Sequence, residues 1–141
     1  MRGDVPSLPP VFRPRGVPTR AEQNRAYDRR RGSARDRGYS ARWDAAARLF
    51  KRDYPLCCGC EAVGRIAATS VVDHVVPHEG DMALFWDEEN WQPACGWHHS
   101  VVKQILEQRF ARGELAPEAL RLHSPEAVGV TLDQLRRSGA L

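Results

Sequence analysis

The sequence predicts a small α+β fold pinned by a metal, and three observations lead there. A β-branched run from Ala67 to Val76 reads as strand. Stretches with helical character flank it, one alanine-rich over 40–53 and one with apolar residues near helical spacing after His98. All four cysteines and four of the five histidines, His74, His78, His98 and His99, fall within 57–99.

Residues 1–38 come first in chain order. They hold clustered Pro, Gly and Arg with little periodicity, and are expected to be a basic arm, disordered or extended without a partner. Charge is lopsided. Residues 1–56 carry 14 Lys and Arg against 6 Asp and Glu, net +8, while 57–141 carry 7 against 12, net −5. A basic arm beside a more acidic body suits a phosphate backbone, and arginine, with its bidentate fork, dominates over lysine. The arm's arginines are therefore the candidate DNA contacts: Arg29, Arg30, Arg31, Arg35 and Arg37, with Lys103 added from the body. A merely solvated tail is the alternative.

The next element, 40–53, predicts a helix with Ser40 as N-cap and Trp43, Ala47 and Phe50 on one side, ending before Pro55. Cys57 and Cys60 follow at C-x-x-C spacing, which lets one tight turn present two thiolates. Cys95 and His98 repeat the spacing as C-x-x-H, completing four zinc-type ligands. Cys58 is left over and is an alternative to Cys57. The first residues, Met1-Arg2-Gly3-Asp4-Val5-Pro6, show no apolar signal region, so a cytoplasmic setting is expected, where disulfides are disfavoured.

A β-hairpin is expected near 63–76, and then a loop from Pro77 to Glu89. Its acidic residues, Glu79, Asp81, Asp87, Glu88 and Glu89, read as solvated loop or as extra metal ligands. Leu84, Phe85 and Trp86 would anchor it. Alternation along a strand sets Asp73 and His74 on opposite faces. Neighbours on a helix differ by about 100°, so His98 can face the zinc while His99 points elsewhere. Asp73 and His99 thus become candidates for a second, hard-metal site. The plainer readings stay open: a strand-end turn at Asp73-His74, two alternative zinc ligands at His98-His99, and an Asn90 that only stabilises a loop.

The helix after His98 should run to Arg112 and stop at Gly113, with short helices at 117–122 and 131–137. The last twenty-five residues show no recognisable chemistry. No apolar run approaches membrane-spanning length. By length the chain is one domain, organised as the arm 1–38, a core 39–113 and the terminal helices 114–141. In so small a core, metal binding contributes directly to folding.

Over residues 27–110 the chain resembles HNH endonucleases of the zinc-containing, phage-associated type. The matching stretches are Tyr54-Pro55-Leu56-Cys57-Cys58-Gly59-Cys60, Val72-Asp73-His74-Val75-Val76-Pro77-His78-Glu79-Gly80-Asp81, Leu84-Phe85-Trp86-Asp87 and Asn90-Trp91-Gln92-Pro93-Ala94-Cys95. The stretch from Tyr27 to Tyr39, followed by Trp43, resembles the leader of such proteins. The resemblance implies a ββα-metal nuclease core, a hairpin and a helix around one divalent ion, with structural zinc and flanking helices. It implies His74 as general base, Asp73 and His99 as ligands of the catalytic ion, and Asn90 as the brace of the loop carrying His74. It also implies structural zinc on Cys57, Cys60, Cys95 and His98, a Cys3His set where many relatives have cysteine at the fourth place. Many relatives continue after the last histidine with a polar run ending in Lys-Thr; here Ser100-Val101-Val102-Lys103-Gln104 stands instead.

The implied reaction is phosphodiester hydrolysis of DNA. A near-neutral imidazole suits the base. A divalent ion, Mg²⁺ or Mn²⁺, would absorb charge on the phosphate, and an imidazole ligand also accommodates Ni²⁺, Co²⁺ or Zn²⁺. The setting implied is a bacterial or phage-infected cell, with no membrane partner. The other function class is a catalytically silent zinc module binding DNA or a partner protein, for example the terminase of a phage packaging apparatus. A silent module would not need Asp73, His74 and His99 all intact.

Overall fold

The structure is a computed structural model that describes residues 16–31 and 40–141. The chain divides into two units, 1–33 and 34–141. In the first, Arg20–Arg31 forms helix α1. It starts with a reciprocal cap: Glu22 N donates to Thr19 Oγ1 at 3.1 Å and Thr19 N donates to Glu22 Oε2 at 2.7 Å. Of the described α1 side chains only Ala26 is half-buried and the others are exposed. Disorder was expected over these residues, and the Thr19-x-x-Glu22 start signal is what that expectation missed. Residues 1–15 and 32–38, including Arg35 and Arg37, lie outside the described residues, as do the side chains of Arg30 and Arg31. Arg29 is exposed.

The second unit mixes helices with a two-stranded antiparallel sheet. Helix α2, Ala41–Asp53, begins at Ser40, whose hydroxyl accepts from Trp43 N at 3.4 Å. One turn, α3, Cys58–Glu61, carries the first cysteine pair. Strand β1, Val71–His74, pairs with β2, Trp91–Ala94, so that Val71 faces Ala94 and His74 faces Trp91.

The hairpin expected near 63–76 is therefore not the one that forms. The carbonyl of Cys60 accepts from both Val63 N and Arg65 N, which curls this segment around the cysteine pair. Within that range Ala68 makes one isolated bridge, to Leu56 outside it. The partner of β1 arrives after a sixteen-residue loop, 75–90.

That loop has structure of its own. Asp81 caps the turn α4, Met82–Phe85, accepting from Ala83 N and Leu84 N; Asp87 caps the 3₁₀ turn Glu88–Asn90. Phe85 is fully buried in a cluster with Trp43, Val72 and Trp91. After β2 the chain enters a π-helical turn, His98–Val102, that runs on into α5, Lys103–Ala111, and stops at Gly113 with φ +74.

Residues 114–141 are part of the same core. Leu120 and Leu122 pack beside Ala127 and Val130 against Val75, Ala94, Val102 and Leu106. The expected short helix at 131–137 is the end of a longer one, α6, Pro125–Arg137, which begins with Ser124 as N-cap and Pro125 in the first turn. Among the described residues no helix is long and apolar enough to cross a membrane.

Candidate functional site

Two groups of side chains lie on either side of β1 and the π-turn. The first is Cys57, Cys60, Cys95 and His98, whose ligand atoms all lie within 4.8 Å of one another. His98 Nδ1 is 3.6 Å from Cys57 Sγ and 3.4 Å from the sulfurs of Cys60 and Cys95, and Cys60 Sγ is 3.8 Å from Cys95 Sγ. Tetrahedral zinc, with Zn–S near 2.3 Å and Zn–N near 2.0–2.1 Å, would set sulfurs about 3.8 Å apart and sulfur to nitrogen about 3.6 Å. The group could thus hold a metal ion such as zinc.

The surroundings fit the same use. Burial pushes the His98 imidazole down to about 4, so it is neutral with a lone pair to give. Its Nε2–H donates to Thr131 Oγ1 at 3.2 Å, and that hydroxyl donates to Ala127 O at 2.8 Å. This leaves Nδ1 for a metal. Burial, with Cys57 and Cys95 close by, pushes the Cys60 thiol up to about 12 in the absence of a cation. Gly59 lies flat under the imidazole: a Cβ there would stand 2.4 Å from His98 Cδ2. Cys58 points away, its thiol donating to Gln92 Oε1 at 3.8 Å.

The second group faces a cleft of about 400 Å³ whose lining includes Trp43, Lys51, Asp73, His74, His99 and Glu107. Asp73 is almost fully buried. Its Oδ1 accepts from His99 Nδ1 at 3.1 Å, and its Oδ2 accepts from Gln92 Nε2 at 2.8 Å and Lys103 Nζ at 2.9 Å. Burial alone would raise this carboxyl; the hydrogen bond from His99, the charge and hydrogen bond of Lys103 and the Gln92 amide outweigh it and hold the pKa below the ordinary carboxylate value. The bond to Asp73 raises His99 in turn, against the effect of its own burial.

His74, at the end of β1, packs between rings. Trp43 stacks on it with centroids 5.2 Å apart, and Phe85 lies at 4.7 Å. Its Nε2 is 2.9 Å from the carbonyl oxygen of Phe85, which also accepts from Trp91 Nε1 at 2.8 Å. A carbonyl only accepts, so Nε2 carries a proton and Nδ1 is the basic nitrogen. Burial lowers the His74 pKa, while the Phe85 hydrogen bond acts the other way. Alternation does separate the neighbours of Asp73 and His74, polar for one and aromatic for the other. Both nonetheless reach one cleft.

Asn90 is buried and holds the segment after His74. Its Oδ1 accepts from Val76 N at 2.9 Å, its Nδ2 donates to Val76 O at 3.0 Å, and its carbonyl accepts from Val75 N at 2.7 Å. Lys103 is a correction. Expected at DNA, it is 1% exposed, with its ammonium on Asp73, on Glu107 Oε1 at 2.9 Å and on the carbonyl of His74 at 2.6 Å. His99, Lys103 and Glu107 lie four residues apart, so one helical face delivers all three to one place. That spacing was a readable sign. Gln92 was missed as well: it bonds Asp73, Leu120 O at 3.1 Å and Leu122 N at 2.8 Å.

Comparison of the chain with protein-family models, with curated proteins and with solved structures gave no match in any of the three. Function has to be read from the geometry.

Proposed function

We propose that this chain is a metal-dependent DNA endonuclease with a ββα-metal centre of the HNH type. The observation that carries the reading is the state of His74: its Nε2–H is fixed on the Phe85 carbonyl, its Nδ1 is basic, and it shares a cleft with the Asp73–His99 pair. The order strand, loop, strand, helix agrees with it. Asp73 and His99 would hold the ion. Asp73 Oδ1 and His99 Nδ1, 3.1 Å apart, are close enough to share one ion once the proton that Nδ1 donates to Asp73 is released. When bound, a Mg²⁺ or Mn²⁺ ion supplies charge stabilisation to the phosphate and the departing oxygen.

The residues of the chain do the rest. His74 Nδ1 takes a proton from water, and the water oxygen attacks phosphorus as the bond to the leaving oxygen breaks. Trp43 and Phe85 hold the ring, and Asn90 holds the segment behind it. Lys103 and Gln92 occupy Oδ2 of Asp73, which leaves Oδ1 beside His99. The Cys3His group, with zinc, would tie the start of the helix to α3.

A second reading, a zinc module that binds DNA or a partner protein without cutting, draws on one observation: Asp73 already has a buried cation, Lys103, at 2.9 Å. Nicking of supercoiled plasmid with added Mg²⁺ or Mn²⁺ separates the two. The wild-type chain should nick, and His74→Ala should be slower by about 10²–10⁴ with zinc content unchanged. Equal rates would reject His74 as the base, and plasmid binding without nicking would favour the second reading.

A further inference from the structure

One cation in the cleft wall is left over once the proposed chemistry has taken its residues. Helix α2 lines the cleft with Trp43, Asp44, Ala47 and Lys51. Trp43, Ala47 and Lys51 are spaced by four and form one stripe along the helix. Trp43 is engaged with the His74 ring, and Ala47 is small enough to leave room beside β1. Lys51 is half-buried and, among the described residues, makes no hydrogen bond or ion pair.

The other basic groups of the cleft are committed. Lys103 is buried on three oxygens, His99 is bonded to Asp73, and His74 is bonded to the Phe85 carbonyl. Asp44, Asp73 and Glu107 line the same cleft. A phosphodiester chain crossing it meets three carboxylates, and Lys51 is the one lysine or arginine among the described lining residues, with its ammonium free.

We infer that Lys51 binds a backbone phosphate of the nucleic acid, one a few nucleotides away from the phosphate that is cut. The inference rests on the endonuclease reading for which phosphate is cut. Eight residues of helix separate Lys51 from Trp43, about 12 Å along the axis. At roughly 3.4 Å of axis per nucleotide, the Lys51 ammonium meets a phosphate a few nucleotides away from the one at His74. It is a substrate-binding side chain with no part in proton transfer.

The test uses the full chain carrying His74→Ala, so that DNA is not cut, and a labelled duplex titrated over a range of salt. Lys51→Gln in that background should bind roughly three- to tenfold more weakly near 0.1 M salt, and its slope of log affinity against log salt should be smaller by about 0.9, the signature of one lost phosphate contact. Lys51→Arg should keep the slope. An unchanged slope in Lys51→Gln overturns the inference, as does a failure of the His74→Ala chain to bind duplex at all. If wild type never nicks plasmid but the slope falls, the endonuclease reading fails and the phosphate contact stands. If wild type nicks and the slope does not move, the contact fails and the reading stands.

Discussion

At the scale of single residues, the state of His74 governs how the proposed reaction depends on pH. Burial against Trp43 and Phe85 disfavours the imidazolium, and the folded pKa lies below the ordinary value near 6.5. The base is therefore present above that folded value and lost as pH falls through it. Stability follows the same direction: the neutral ring is favoured in the folded state, so its contribution is complete above about pH 6.5 and declines as pH drops. A profile of nicking rate from about pH 5 to about pH 8 should show an acidic limb with its midpoint below about 6.5 and a flat top at pH 7. A limb centred above pH 7 would mean that another group titrates. Asp73, His74, Asn90 and His99 were legible as candidate site residues, because a short motif displays them. The carbonyl that holds the His74 ring was not. Phe85 supplies it through its backbone, and only the packing of the 75–90 loop brings it under the ring.

At the scale of elements, the π-helical turn His98–Val102 sends two adjacent histidines to two different groups of side chains. A widened turn of this kind often marks a functional position. His98 is buried with its Nδ1 among three sulfurs, while His99 is half-exposed on Asp73. His99→Ala should keep one tightly bound zinc per chain and lose nicking. His98→Ala should lose the tight zinc. Metal analysis with the opposite pattern would exchange the two assignments. The helical sense of this segment and its stop at Gly113 were readable from periodicity; the strand pairing was not. Sequence places a strand over 67–76, of which Val71–His74 forms, but carries no sign that its partner is Trp91–Ala94, because pairing across a loop is decided by the aromatic cluster beneath it. The start signals Thr19-x-x-Glu22 and Ser124-Pro125-Glu126 were there to be read. Arginine density hid the first, and the second lay in a segment that displays no chemistry of its own.

At the scale of the molecule, the Cys3His group and α6 form one device. Few other contacts tie α3 to the helix after β2, and the imidazole that completes the group leans on Thr131 from the far end of the chain. Structural zinc contributes on the order of 10 kcal/mol of apparent binding free energy in small domains, comparable with the whole stability of a domain. Cys95→Ser should therefore lose zinc and much of the helical signal in circular dichroism. Cys58→Ser should keep both, since Cys58 bonds Gln92 outside the group and a hydroxyl can donate to the same oxygen. Thr131→Val is the finer probe. It preserves shape but removes the acceptor of the His98 Nε2–H, and loss of such a partner typically weakens metal affinity about 10–100-fold. Competition with a chelator should show that loss, with folding of the zinc-saturated chain only slightly changed. Unaltered zinc affinity in Thr131→Val would mean that α6 contributes its apolar face to the core and nothing to the metal.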